Sequence, residues 1–188
     1  RRWDWQTLQE FGGGELNNSG AHVIDQALLL LGDVDPDIHC ERRSTDLYSG
    51  DADNHVKLVM TAEGAPTVDI EITTNCAYPQ DRWLIMGTRG GLRGSDSTLE
   101  WKYYDAAAAP ERPIDRQPTP DRSYNREDLA WTEETYEAPR EEGFAVRNRR
   151  LYEDLYPSLV GDAPLAITPE SVLRQMTVLQ KCRELAPV

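Results

Sequence analysis

The stretch "TVDIEITTN", residues 67–75, restricts the fold of this chain more than any other segment. Val68, Ile70 and Ile72 alternate with Asp69, Glu71 and Thr73. Successive side chains of a strand point to opposite faces. A period of two therefore means a sheet with one face in a core and the other toward water or another protein. Comparable signals lie on either side of it: "DIHCERRST" and "HVKLVMTA" before, "RWLIMGT", "TLEWKYY" and "AWTEETYEA" after. No helical pattern separates these strands, and strands met in sequence favour antiparallel neighbours.

Helical periodicity is confined to the two ends. "ELNNSGAHVIDQALLLL" carries Val23, Ile24, Ala27, Leu28, Leu30 and Leu31, apolar over most of its circumference, with Gly32 as its stop. Near the other end, Phe144, Leu151, Leu155 and Leu159 fall at helical spacing. In the last helix Thr168 is the N-cap and Pro169 the first helical residue, with Val172, Met176, Leu179 and Leu185 as the expected buried stripe. The reading is an α+β fold: a largely antiparallel open-faced sheet of five or six strands with helices on one face. A Pro-rich stretch at about 105–125 is expected to be a long loop, and residues 1–188 to form one domain.

The formal net charge is -13, from 33 acidic and 20 basic residues. A nucleic-acid binder needs a basic footprint and an anionic membrane attracts basic segments, so neither partner is expected. No apolar run is long enough to span a bilayer, and no signal peptide opens the chain, which points to a cytoplasmic protein. Cys40, Cys76 and Cys182 match no zinc or redox spacing. They read as free, mostly buried thiols of a reducing compartment.

Most candidate chemistry fails on spacing. "GTRGGLRG" lacks the helix and the G-x-G-x-x-G pattern of a phosphate loop, and reads as a hairpin with left-handed glycines. His22, His39 and His55 show no metal-ligand spacing, so no metal is expected. No G-x-S-x-G marks a nucleophile. What remains is "GGGELNNSGAHVIDQ". Asn18 and His22 stand four residues apart, on one face of a helix. Gly20 between them would leave the surface bare for a ligand, and Gly12–Gly14 can take backbone angles closed to other residues. Histidine suits proton transfer near neutral pH. Two readings stand at this point: a polar pocket floor, or a core histidine satisfied within its helix with Asn18 capping.

The segment "DWQTLQEFGGGELNNSGAHVIDQALLLLG" resembles the opening of the C-terminal domain of the Gfo/Idh/MocA family of NAD(P)-dependent oxidoreductases. The pattern is carried by Asp4, Trp5, Gly12, Gly13, Gly14, Leu16, Asn18, Gly20, His22 and Asp25. "IMGTRGGL" and "LAITPESVLRQMTVLQKC" resemble a later strand and the closing helix of that domain. The resemblance implies a substrate-binding and oligomerisation domain, preceded in the family by a Rossmann domain that holds most of the NAD or NADP and a catalytic lysine. It implies His22 as catalytic acid or base, with Asn18, Trp5 and Asp4 at the substrate and a backbone approach of cofactor at Gly13 and Gly14. Family members often carry aspartate where this chain has Asn18; an amide can orient a substrate but cannot take its proton. The implied reaction is oxidation of a secondary alcohol of a sugar or cyclitol, its hydride passing to the nicotinamide, in a homo-oligomer joined through the open sheet. By itself this chain is expected to be inactive. The alternative is a non-catalytic assembly module working through the same sheet.

Overall fold

The computed structural model describes residues 1–118, 124–139 and 144–188. Seven strands and three helices occur among them, divided between two compact units: residues 1–78 with 157–188, and residues 79–156. The α+β class and the antiparallel pairing are as expected. The strands, however, form two sheets rather than one.

The first unit opens with two short 3-10 turns, Trp5–Thr7 and Gln9–Phe11. A π-helical turn over Leu16–Gly20 then leads into helix α1, Ala21–Leu31. Strands β1 (Asp37–Arg43), β2 (His55–Thr61) and β3 (Val68–Thr73) pair antiparallel in that order. The register aligns Cys40, Leu58 and Ile70 in one row, and Val56 with Ile72 in another, so the apolar members of each strand share a face. Helix α3 (Pro169–Leu185) and α1 cover that face. Leu16, Ile24, Leu28, Leu31, Val56, Leu58, Met60, Val178, Leu179 and Cys182 make up most of the core. Side chains of this size each contribute roughly 1.5–3 kcal/mol when removed from water.

The helix ends follow the sequence signals. Gly32 ends α1 with φ 74°, a backbone angle that favours glycine. The Thr168 hydroxyl accepts the Ser171 N–H at 3.1 Å, with Pro169 in the first helical turn. Arg174 of α3 donates to the Gly32 carbonyl at 2.7 Å and the Val34 carbonyl at 2.5 Å, binding the end of α1 to the last helix. The α3 stripe differs from expectation. Leu179 is buried, but Val172, Met176 and Leu185 are exposed, and Val178 and Cys182 take the inward positions. The helix is rotated so that its buried residues lie in its second half, while Arg174 in the first half reaches α1 by hydrogen bonds.

The outer face of this sheet is polar. Lys57 lies 2.7 Å from Asp69 and 3.3 Å from Glu71, and these carboxylates raise its pKa, the nearer Asp69 contributing most. Cys40 and Cys182, distant in sequence, meet in the core, where the contact with Cys40, and then burial, push the Cys182 thiol well above its ordinary value. Cys76 is exposed.

The second unit contains β4 (Trp83–Gly87), β5 (Gly90–Gly94), β6 (Thr98–Tyr103) and β7 (Thr132–Glu137), again antiparallel in sequence order. The glycine-rich stretch expected as a hairpin loop is itself strand β5, flanked by two tight turns. A Cβ at Gly90 would lie 2.2 Å from the Lys102 carbonyl oxygen, so close strand approach, more than turn geometry, requires glycine there. Only Gly94 in this stretch has positive φ. Helix α2 spans Phe144–Val160 with Pro157 inside it. Leu151 and Leu159, which fall at helical spacing, are exposed; the Phe144 side chain lies outside the described residues. The expected long loop has no helix or strand among its described residues; residues 119–123 lie outside them.

Candidate functional site

The three glycines ahead of α1 are explained by the chain folding back on itself. Gly12 ends the second 3-10 turn with φ 71°. A Cβ on Gly13 would lie 2.3 Å from the Gln6 carbonyl oxygen, and one on Gly14, at φ +105°, would lie 2.5 Å from Asp53 Oδ1. Their N–H groups donate to Leu8 O at 3.0 Å and Gln6 O at 2.9 Å. Both glycines are buried. The backbone approach of a dinucleotide expected at Gly13 and Gly14 therefore finds the space and the N–H groups already taken. Gly13 and Gly14 thus do not form a cradle for this cofactor.

The next turn is fixed from several sides. Gly20 N–H donates to the Glu15 carbonyl at 2.8 Å, the i to i−5 bond of a π turn, a geometry often found at functional sites. The Glu15 side chain, 5% exposed, accepts the Ser19 hydroxyl at 2.5 Å and the Tyr48 hydroxyl in a short bond, with Arg2 Nη1 at 3.9 Å. Burial, and then this carboxylate, hold the Tyr48 phenol above its ordinary pKa of 10.0. Below the turn, fully buried Asp53 accepts Leu16 N–H at 2.8 Å and pairs with Arg42 at 2.6 Å. Arg42 also donates to the Ala186 carbonyl at 3.1 Å. Asn17 donates to Gly12 O at 3.0 Å and accepts Arg183 at 2.6 Å.

Asn18 and His22 are both exposed, and among the described residues neither side chain makes a hydrogen bond. Asp25, one turn further along α1, is exposed as well. A core histidine satisfied within its helix is therefore not what the structure contains. Gly20 does not bare the surface beside the pair: it is buried, and a Cβ there would touch Leu16 and Ile72 at 3.5 and 3.6 Å. Trp5 is 59% exposed. Asp4 caps the first 3-10 turn, accepting Gln6 N–H at 2.9 Å, and pairs with Arg2 at 2.7 Å, which holds its carboxyl below the usual range. No described contact joins Asp4 or Trp5 to Asn18 or His22.

Among the hollows lined by described residues of this unit, two stand out. One of about 230 Å³ is lined by Arg1, Arg2, Glu15, Leu47, Tyr48 and Thr74, beside the clamp on the π turn. The other, about 560 Å³, is apolar, lies along Leu165, Ile167, Val172, Leu173 and Met176, and carries no titratable group. Among the described residues no group of three or more His, Cys, Asp or Glu could hold a metal ion. None of their helices is long and apolar enough to cross a membrane. Glu15, Tyr48, Arg42 and Asp53 were invisible to sequence reasoning, since contacts between distant residues leave no periodic pattern.

Residues 1–93 match the family model described as the GFO/IDH/MocA C-terminal domain. Among solved structures, the chain is similar to an NAD-binding protein from Listeria innocua, with TM-score 0.69 and 22% identity over 97% of this chain and 52% of that one. An oxidoreductase from Bacillus cereus gives 0.67 and 15%, over 91% and 49%. A UDP-N-acetylglucosamine 3-dehydrogenase from Acidithiobacillus ferrooxidans gives 0.61 and 16%, over 88% and 46%. The chain thus spans about half the length of each, and at these identities the likeness is one of fold. No curated protein matches the chain in sequence.

Proposed function

We propose, from the match of residues 1–93 to the model described as the GFO/IDH/MocA C-terminal domain, that this chain is the substrate-binding part of an NAD(P)-dependent oxidoreductase acting on a secondary alcohol of a sugar or cyclitol. The observation that carries the reading is the contrast within one turn. Glu15, Asn17 and Ser19 are tied down, whereas Asn18 and His22 stand exposed and without a hydrogen bond. A neutral imidazole at His22 can take the proton of a substrate hydroxyl, or return it in the reverse direction. Asn18 can donate its amide to one substrate oxygen and accept from another, fixing orientation without carrying a proton. A sugar as substrate is supported by the name of one structural neighbour, a UDP-N-acetylglucosamine 3-dehydrogenase. No step is assigned to the cofactor, for which Gly13 and Gly14 leave no room.

The test is steady-state kinetics of the whole enzyme on a panel of polyols and nucleotide sugars. His22→Ala is expected to lower kcat by about 10²–10⁴-fold with little change in KM. Asn18→Ala is expected to raise KM as much as it lowers kcat. Normal turnover by His22→Ala, together with a lowered melting temperature, would leave the proposal without support.

A second observation favours assembly through the second unit. The register of β4–β7 brings Trp83, Ile85, Leu92, Leu99, Trp101, Tyr103 and Tyr136 onto one face. Ile85, Tyr103 and Tyr136 are 43%, 41% and 49% exposed. An apolar face of this extent suits a two-fold contact with a second copy better than the charged outer face of β1–β3 does. Light scattering is the measurement. A dimer or larger species is expected, and Ile85→Asp should return it to a monomer.

A further inference from the structure

We propose that Glu15 is a positioning residue: its clamped carboxylate holds the π turn that sets the presentation of Asn18 beside His22. The inference rests on the reading of those two residues as a site, but its geometry can be tested independently of catalysis.

A carboxylate is ordinarily costly to bury, and at 5% exposure this one needs partners. It has them on both oxygens. Oε1 accepts Tyr48 from the β1–β2 connection and faces Arg2, while Oε2 accepts Ser19 from within the π turn. The backbone of Glu15 is engaged as well. Its N–H donates to Asp53 O at 2.9 Å, and its carbonyl accepts Gly20 N–H. One residue therefore joins a distant loop to the start and the end of the turn. Asn18 lies between these fixed points and His22 follows two residues after Gly20. A π turn holds one residue more than an α turn, so its relaxation to an α turn would rotate Asn18 by about one residue, on the order of 100°, relative to α1. Residues four apart sit at a different angular offset in a π turn than in an α turn, so the placement of Asn18 relative to His22 would change.

The experiment uses the full 188-residue chain, labelled for NMR, in wild type and as Ser19→Ala, Tyr48→Phe, Glu15→Ala and Glu15→Gln. Removing a hydrogen-bond donor or the charged acceptor should speed exchange of the Gly20 amide by about tenfold or more. The Leu179 amide in the core of α3 should keep its protection. The side-chain amide of Asn18 and the ring signals of His22 should shift further than in an outer-face control, Asp37→Asn. Glu15→Gln can still accept Tyr48 and donate to Ser19, so it should restore both signals toward wild type. If Glu15→Ala does not fold, the Ser19 and Tyr48 variants carry the test. Unchanged Gly20 exchange, or equal acceleration at Gly20 and Leu179, would overturn the inference, as would unmoved Asn18 and His22 signals. His22→Ala kinetics separates the two proposals: normal turnover would end the catalytic reading whatever the NMR result. A large kcat loss with an unmoved Gly20 amide would end only the role of Glu15.

Discussion

Removing the Asp53 carboxylate is the most informative single perturbation of stability. Its side chain is fully buried and its partner Arg42 is 8% exposed. Asp53→Ala leaves the guanidinium with the Ala186 carbonyl at 3.1 Å as its remaining hydrogen-bond partner, and leaves Leu16 N–H without its acceptor. Breaking one side of a buried ion pair costs about 3–5 kcal/mol, because the surviving charge stays desolvated. The orphaned amide falls within the same local loss and should not be added in full. For a chain of this size, that corresponds to a fall in melting temperature of roughly 6–20 °C. Calorimetry measures it, and exchange of the Leu58 amide reads the first unit alone. The partner variant sharpens the test. Arg42→Met in the Asp53→Ala background should recover part of the loss, since it removes the unpaired charge and retains apolar bulk. A loss below about 1 kcal/mol, the worth of a surface pair, would refute the reasoning. So would a double variant less stable than Asp53→Ala alone.

Gly14→Ala should be destabilised by steric means at the same place, since its Cβ would lie 2.5 Å from Asp53 Oδ1 at a φ of +105°; equal melting temperatures for Gly14→Ala and wild type would contradict the packing described. Tyr48 gives a pH signature. Its folded pKa is raised above the ordinary 10.0, so its contribution to stability is complete below that pH and declines as pH rises through the folded value. Urea midpoints should fall less between pH 9 and pH 11, roughly bracketing the ordinary tyrosine pKa, in Tyr48→Phe than in wild type. Calorimetric titration of this chain with NAD and NADP should show no micromolar binding, because Gly13 and Gly14 are closed by their own neighbours; such binding would show a cradle elsewhere in the chain.

Local rules made much of this fold legible in the sequence. The alternation of Val68, Ile70 and Ile72 identified β3, and Thr168, Pro169 and Gly32 marked helix ends, because those signals act between residues adjacent in the chain. The spacing of Asn18 and His22 was also legible, since four residues make about one helical turn, but their exposure was not. What surrounds that pair was decided only by tertiary structure. Gly13 and Gly14 resembled a cofactor approach until the backbone of Gln6 and the side chain of Asp53 were found in the space beside them. Gly20 resembled an open surface until Ile72 was found against it. The division of the strands into two sheets and the rotation of α3 toward Val178 and Cys182 were likewise hidden. The same holds for the Glu15–Tyr48 clamp, whose members lie 33 residues apart. A periodic pattern records that a side chain faces inward. It carries no information on which distant residue will meet it there, because that depends on how the elements pack.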